Sequence, residues 1–343
     1  MNRWILSLVL GVVVSAAALW LAFRNVPFGD LVAYIGTIEI FWLLPSMAAI
    51  LAGFFCRVVR WQLILGSSIR VGYWSAHHPL MIGFMMNCIL PGRVGEVARP
   101  LILKKRNQVP FTTGLATVAA ERVFDLLILI GMVAAVMAAV KIDPQFSRTF
   151  AGYELSGETL VGVARAMVQL SVLMVAGVLF VSVKKTRSLA LGLAGFLPGK
   201  LSDILTRIIE NIAAGFSLVK DPGRMAACLG LSVGTWAFTA VSYYVMAMGS
   251  PGVGLSFLEL TAVMVIVCFF IALPSVPGFW GLWEAGGVFA MALFGVPAKE
   301  AAGFTLVNHA VQMFPVILVG LISAIVTSVN VLQVSKESRV QSG

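Results

Sequence analysis

Long apolar segments alternate with short polar ones along most of the chain. Six of these segments have the length, about 20 residues, that an α-helix needs to cross a bilayer. We expect full spans at 4–23, 40–65, 110–141, 160–183, 225–248 and 301–329. The pattern therefore predicts an all-α polytopic membrane protein.

Two further apolar segments are interrupted by proline and glycine before they are long enough to span. The first interruption, 87–100, reads NCILPGRVGEVARP, and the second, 274–284, reads PSVPGFWGLWE. Each runs from Pro-Gly through a later glycine to a glutamate. In hydrocarbon, irregular backbone persists only inside protein or beside a water-filled cavity. We therefore predict two re-entrant broken-helix pairs, at 76–106 and 257–294.

The two interruptions belong to an internal repeat, about 40–141 and 225–330. A shift of 187 positions carries Pro110 onto Pro297. The same shift carries Glu121, Arg122 and Asp125 onto Asn308, His309 and Gln312. Three predicted spans, an odd number, lie between the interruptions, so the two pairs enter the membrane from opposite sides. This predicts an inverted-topology repeat of the kind that builds transporter substrate sites.

Composition supports one integral membrane domain over 1–343. Hydrophobic residues make up 59% of the chain and charged residues 11%, whereas soluble domains carry about 25% charge. The net charge of +9 does not indicate a nucleic-acid partner, because Lys and Arg cluster in loops that the positive-inside rule places in the cytoplasm together with both termini. Apolar residues at helical spacing predict an amphipathic interfacial helix at 200–219.

Charged residues inside the apolar segments are the candidate binding residues, because such a group costs about 2.5–3.5 kcal/mol and is typical of a functional site. In the first interruption, 87–100, which we call the first break, Arg93 and Arg99 flank Glu96. This arrangement predicts a net positive pocket for a phosphate or a phospholipid headgroup. Free N–H groups at the half-helix N-termini favour the same ligand. The alternative is that the three charges neutralise one another and pin the loop. Asn87 lies at the start of the same break.

A second candidate set lies on the full spans. Glu121, Arg122 and Asp125 occupy one helical turn and predict an intramembrane ion cluster, which either handles substrate or protons or locks helices together. Arg57 and Arg60, at the end of the second predicted span, either contact a headgroup or reach to the interface.

Two residues of the second repeat complete the candidate set. Glu284 is the counterpart of Glu96 and either binds substrate or caps the N-terminus of a half-helix. His309 lies within a predicted span, where it either titrates near physiological pH or serves as a hydrogen-bonding strut.

Sequence motifs for catalysis or cofactors were not found. The chain has no Walker motif, no H-E-x-x-H and no C-x-x-C. Its four cysteines lie in apolar segments and suggest neither a disulfide framework nor a zinc site. We therefore expect no cofactor, no metal and no catalytic residue, and the prediction at this stage is that the protein is not an enzyme.

The motifs N-x-x-L-P-G-R-x-G-E-x-x-R at 87–99, E-R-x-x-D at 121–125 and P-G-x-x-G-x-x-E at 277–284 resemble those of a known family. It is the transmembrane flippase domain of lysylphosphatidylglycerol synthases, together with the stand-alone bacterial membrane proteins built on it. The resemblance implies a bacterial inner-membrane protein that moves a lipid between leaflets. Candidate lipids are anionic phospholipids and polyprenyl or hopanoid-type lipids. The aminoacyl transferase domain of the bifunctional enzymes is not expected here, which argues against lysyl-phosphatidylglycerol as the substrate.

Three functions remain open at this stage. The first is a lipid translocase with a polar central cavity, driven by a proton or ion gradient or by the gradient of its lipid. The second is an intramembrane enzyme acting on a lipid phosphate, and the third is a secondary transporter of a small polar solute. A membrane lipid is the expected ligand, and a homodimer and a separate lipid-synthesising enzyme are the partner alternatives.

Overall fold

The computed structural model describes residues 3–66, 69–139, 147–150, 153–182, 184–199, 201–203, 205–206, 209–210, 221–273 and 276–342. Helices dominate these residues, as the hydropathy pattern predicts. The helices are α1 (Arg3–Phe23), α2 (Phe28–Ile35), α3 (Leu43–Leu65), α4 (Tyr73–Ile89), α5 (Gly95–Asn107), α6 (Phe111–Ala139), α7 (Gly157–Ser182), α8 (Lys184–Ala194), α9 (Pro222–Met248), α10 (Phe257–Ile271), α11 (Leu282–Leu293), α12 (Ala298–Val326) and α13 (Val331–Ser342).

One small antiparallel hairpin departs from the all-helical pattern. Strand β1 (Ser147–Phe150) pairs with β2 (Tyr153–Ser156) between the spans predicted at 110–141 and 160–183. The predicted amphipathic helix at 200–219 lies largely outside the described residues. The fold is therefore that of a helical membrane protein with one short hairpin, and its helical class is confirmed.

Several described helices are long and apolar enough to cross a membrane. Within the described part of the chain they are Ile40–Leu65, Pro222–Met248 and Ala298–Val326, and the pair formed by α1 and α2, bent by 79°, would make a fourth. The first three agree with the spans predicted at 40–65, 225–248 and 301–329. The full count of six spans stays a prediction.

Both predicted breaks are present and share one backbone turn. Helix α4 ends before a 3₁₀ turn at Pro91–Arg93, and α5 follows it. Helix α10 is likewise separated from α11 by a 3₁₀ turn at Pro277–Phe279. The second and third residues of each turn have positive φ, 83° and 51° in the first turn and 70° and 62° in the second. A glycine is needed at the second position because it adopts positive φ without steric cost.

Helices α4 and α5 approach each other very closely behind the first break. A Cβ atom added to Gly95 would overlap the carbonyl oxygen of Gly83. The backbone N–H of Gly95 donates to Asn87 Oδ1 at 2.8 Å. Asn87, a predicted binding residue, thus satisfies a free N–H at the start of α5, which is a structural contact.

Replacing Gly95 with alanine is expected to destabilise the protein by about 1–3 kcal/mol, because α4 and α5 must separate to admit the methyl group. The matched control is Gly131→Ala on α6, where a Cβ atom meets nothing within 4 Å. Alanine also favours a helix over glycine by up to about 1 kcal/mol. Thermal midpoints in detergent should fall for Gly95→Ala and hold or rise for Gly131→Ala. Equal midpoints would contradict the close approach of the two helices.

The two breaks contact each other. The Arg93 side chain donates from Nη2 to the carbonyl oxygen of Ile271 at 2.5 Å, and its guanidinium lies 5.5 Å from the centre of the Phe279 ring. A Cβ atom on Gly278 would lie 2.9 Å from the carbonyl oxygen of Cys88. The turns of the two broken pairs therefore contact each other.

The helices of the two predicted repeats are interlocked. Helix α3 packs along α9, and α4 packs along α12. The contact between α3 and α9 includes a hydrogen bond between the hydroxyls of Ser46 and Ser242, 2.8 Å apart. Each repeat therefore covers surface of the other.

Candidate functional site

A group of seven charged side chains from α3, α5 and α6 forms the candidate site, which we call the arginine cluster. Its members are Arg57, Arg60, Glu96, Arg99, Glu121, Arg122 and Asp125. They meet because α5, which follows the first break, packs against α6. The N-terminal part of α6 and the C-terminal part of α3 carry the remaining charges.

The floor of the cluster is a buried network of ion pairs. Arg60 Nη1 donates to Asp125 Oδ1 at 2.7 Å, and Arg60 Nη2 lies 3.6 Å from Glu121 Oε1. Arg99 Nη2 donates to the other oxygen of Glu121 at 2.5 Å. The side chains of Arg60 and Arg99 are 0% and 2% exposed. Removing these charges from water is offset by the close pairing.

The rim of the cluster is open. The Arg122 side chain is 42% exposed and that of Glu96 is 32% exposed, with Arg122 Nε 3.9 Å from Glu96 Oε1. Arg122 Nη1 also lies 3.7 Å from Asp125 Oδ2, and Arg57 lies 3.3 Å from the same oxygen. The two contacts of Arg122 are too long for strong hydrogen bonds, so its exposed guanidinium group can take another partner.

Aromatic rings line the cationic side of the cluster. The Arg57 guanidinium lies between 5.5 and 5.8 Å from the ring centres of Phe54, Phe84 and Trp236. The Arg99 guanidinium lies 4.2 Å from the Trp61 ring. Such contacts hold a cation in an apolar setting without a carboxylate partner.

The cluster contains more cation than anion. Its four guanidinium groups face three carboxylates, which leaves one net positive charge. Several buried N–H donors have no hydrogen-bond acceptor, namely Nε and Nη2 of Arg60, Nε of Arg99 and Nε1 of Trp236. An unpaired buried donor costs about 1–3 kcal/mol. The arrangement suits an anion that offers several acceptor oxygens.

The pocket predicted from Arg93, Glu96 and Arg99 does not form. Arg93 binds a backbone carbonyl across the break, while Glu96 and Arg99 each pair with a different residue of α6. The physical reason is that α6 presents Glu121 and Arg122 next to each other, one for each charge of α5. The two candidate sets of the sequence analysis thus merge into one cluster.

The second repeat has a corresponding acid–base pair. His309 Nδ1 lies 2.6 Å from Glu284 Oε1, and both side chains are buried. In the predicted repeat these residues correspond to Arg122 and Glu96, which also face each other. Gln312, the counterpart of Asp125, donates to the Ser242 hydroxyl at 3.0 Å. The two breaks are therefore each pinned by a partner on the following span.

Two residues of the cluster's surroundings were not predicted from the sequence. Arg60 Nη1 donates to the Ser232 hydroxyl at 2.7 Å, and Trp236 stacks on Arg57. They lie four residues apart on α9, a spacing that places them on one helix face. That spacing is the only signal the sequence holds for them.

A cavity found in the structure lies away from the arginine cluster. A cavity of about 230 Å³ lies between α5 and α13, lined by Lys105 and Arg106 among others, and no residue of the arginine cluster lines it. Among the described residues, no group of three or more His, Cys, Asp or Glu side chains is arranged to hold a metal ion.

The sequence of the site agrees with a known family. Residues 8–320 match the lysylphosphatidylglycerol synthase TM region, a span that includes both breaks and the arginine cluster. The chain belongs to this family. It is therefore a multi-pass membrane protein of the lysylphosphatidylglycerol synthase TM-region family, as its motifs predict. No solved structure matches the chain.

Two curated relatives of this family member have been found. The "Glycosyltransferase AglD" of Haloferax volcanii is 24% identical over 357 residues, which cover 97% of the chain and 56% of the relative. A "UPF0104 membrane protein" of Methanothermobacter thermautotrophicus is 25% identical over 281 residues, 78% of each protein. The chain thus spans little more than half the length of the first relative.

The first relative corrects one prediction. The sequence predicted that the protein is not an enzyme, because neither a transferase domain nor a nucleotide-binding motif was expected. A relative aligned with 97% of the chain is named a glycosyltransferase, so membership of this family goes together with an enzyme name. The missing motifs do not decide the matter, since a membrane region that binds a lipid-linked phosphate needs none of them.

Proposed function

We propose that the protein binds the phosphate of an anionic lipid headgroup at the arginine cluster and moves that lipid between the two leaflets of a bacterial plasma membrane. The observation that carries the proposal is the net positive charge of the cluster, four guanidinium groups against three carboxylates, with the Arg122 side chain 42% exposed at its rim. A phosphate offers acceptor oxygens to several guanidinium groups at once, in the forked geometry that arginine favours. Family membership supports a lipid as the bearer of this phosphate.

The exposed rim is where the headgroup enters. Arg122 presents its guanidinium group there, and Glu96 is the weakly held carboxylate that the phosphate displaces from Arg122. Arg57, 13% exposed, lies behind the rim on Asp125. Arg60 and Arg99 stay paired below. The acyl chains remain in the membrane, beside the exposed apolar faces of the helices. Glu96 therefore occupies Arg122 until the phosphate replaces it.

Lipid transport in this proposal uses the relative motion of two inverted repeats. The equal turns of the two breaks and the corresponding pairs Glu96–Arg122 and Glu284–His309 support such a repeat. In transporters of this design one repeat rocks against the other around a central site. We assign six full spans and cytoplasmic termini to the protein on this basis. A proton gradient, an ion gradient or the gradient of the lipid drives the movement.

Phosphatidylglycerol and polyprenyl phosphate are the two lipids to test first, with hopanoid-type lipids as a further class. A separate lipid-synthesising enzyme would supply the substrate, and a homodimer is the assembly to look for. Purified protein in liposomes should exchange the anionic lipids between leaflets faster than a zwitterionic control. Equal rates for all lipids, or no exchange with and without a pH gradient, would overturn the proposal.

A second candidate is a membrane enzyme that acts on a lipid-linked phosphate, and the name of the Haloferax volcanii relative favours it. The arginine cluster would then hold the phosphate and Glu96, at the open rim, would act as the acid or base. Lipid extracted from the same liposomes separates the two candidates. A translocase returns its lipid unchanged, whereas an enzyme supplied with its co-substrate alters the lipid covalently.

A further inference from the structure

The buried pair Glu284–His309 is not used by the proposed lipid site. Glu284 lies in the first turn of α11 and His309 in α12. Their side chains are 0% and 1% exposed. Because both groups are ionisable and neither reaches water, their hydrogen-bond partners decide how many protons they hold.

Those partners are fixed by the second break. His309 Nε2 lies 2.7 Å from the carbonyl oxygen of Gly278, which only accepts, so Nε2 carries a hydrogen. Glu284 Oε2 accepts from the Gly281 N–H at 2.7 Å. The remaining contact joins His309 Nδ1 to Glu284 Oε1 at 2.6 Å. If Nδ1 carried no hydrogen and Glu284 were ionised, a lone pair on Nδ1 would face a lone pair on Oε1 at this distance, which is repulsive.

The contact therefore contains one proton, shared between Nδ1 and Oε1. With the proton on Nδ1 the pair is an imidazolium and a carboxylate, and with the proton on Oε1 both groups are neutral. Either form has no net charge. Loss of the proton leaves one negative charge in the apolar interior, which is unfavourable.

The surroundings of the pair are mainly aromatic. The Trp283 ring lies parallel to the imidazole with its centre 4.6 Å away, and the Trp280 ring lies at 4.4 Å. The neighbouring elements carry further titratable or charged groups, among them Tyr34, Arg57, Cys88, Arg93, Tyr243 and Cys268. Within the described residues, no titratable side chain outside the pair is hydrogen-bonded or ion-paired to Glu284 or His309.

We infer that the Glu284–His309 pair is a buried binding site for one proton, and that this proton holds the second break closed against the first. Deprotonation sets Nδ1 against Oε1 and drives His309 away from the start of α11. His309 also holds the carbonyl of Gly278, whose backbone touches that of Cys88. A shift of His309 is therefore transmitted to the junction between the two breaks. The site is a coupling site for protons, separate from the anion site.

Glu284→Gln is the decisive variant. Its amide nitrogen donates to His309 Nδ1 and its amide oxygen accepts from the Gly281 N–H, so every hydrogen bond is kept without a removable proton. Purified full-length protein in detergent, titrated with acid and base over the range in which it stays folded, should release about one proton per chain more than Glu284→Gln. The tryptophan emission, which senses movement of His309, should change with pH in the wild type and lose that change in the variant.

Equal proton release by the two proteins would overturn the inference, as would an unaltered emission change in Glu284→Gln. Should that variant fail to fold, the double variant Glu284→Gln/His309→Gln, which leaves no ionisable group at the pair, is expected to show the same deficit of about one proton. Neither measurement involves lipid, so its outcome is independent of the proposed lipid transport. Failure here leaves the anion site standing, and failure of lipid exchange leaves the proton site standing.

Discussion

Replacing Asp125 with asparagine is expected to destabilise the protein by about 3–5 kcal/mol, the cost of removing one partner from a buried ion pair. Asp125 accepts from Arg60 at 2.7 Å and from Arg57 at 3.3 Å, and Arg122 lies 3.7 Å away. The amide leaves three guanidinium groups without this counter-charge, two of them with little exposure. Thermal unfolding in detergent and the yield of monodisperse protein measure the loss.

Asp30→Asn is the matched control for this substitution. Asp30 is exposed in the first turn of α2, where a carboxylate contributes at most about 1 kcal/mol through the helix dipole. Its midpoint should stay close to that of the wild type. Should Asp125→Asn match this control, the cluster would not be the electrostatic lock that its buried contacts indicate.

Replacing Arg122 with glutamine is expected to weaken binding of an anionic headgroup by about 10–100-fold. A hydrogen bond to a charged group contributes about 1.5–3 kcal/mol, and Arg122 is the most exposed cation of the cluster, with a 42% exposed side chain. The fold should tolerate the change, since its partners lie 3.7 and 3.9 Å away and such exposed pairs contribute less than about 1 kcal/mol. Calorimetric titration with short-chain phosphatidylglycerol measures the affinity.

Arg24→Gln controls for the general loss of a surface cation. Arg24 is exposed and lies 4.9 Å from the Trp20 ring, far along the chain from the cluster. This variant should bind the lipid as the wild type does. An equal loss in both variants would mean that net charge, and not the cluster, attracts the anion.

The sequence predicted the local features of the fold correctly. Pro-Gly at 91–92 and 277–278 requires a turn that no helix accommodates, and the structure has that turn in both places. The length of the apolar segments likewise identified the spans at 40–65, 225–248 and 301–329. These features depend on neighbours in sequence, so the sequence is sufficient to predict them.

The pairing within the site was not predictable in the same way. Arg99 reaches Glu121, 22 residues away, and Glu96 faces Arg122, although Arg93 and Arg99 flank Glu96 in the chain. The choice depends on which face α5 turns towards α6, and this follows from the close approach of Gly83 and Gly95. The hairpin of β1 and β2 and the contacts of Ser232 and Trp236 also depend on tertiary packing.

Leaflet exchange of phosphatidylglycerol against a zwitterionic lipid tests the central claim most directly. Wild type, Arg122→Gln and Arg24→Gln would be compared in vesicles of the same composition and protein content. The account predicts that wild type and Arg24→Gln prefer the anionic lipid, and that Arg122→Gln loses this preference by about 10–100-fold while remaining folded. An unchanged preference in folded Arg122→Gln would contradict recognition of the headgroup by the arginine cluster.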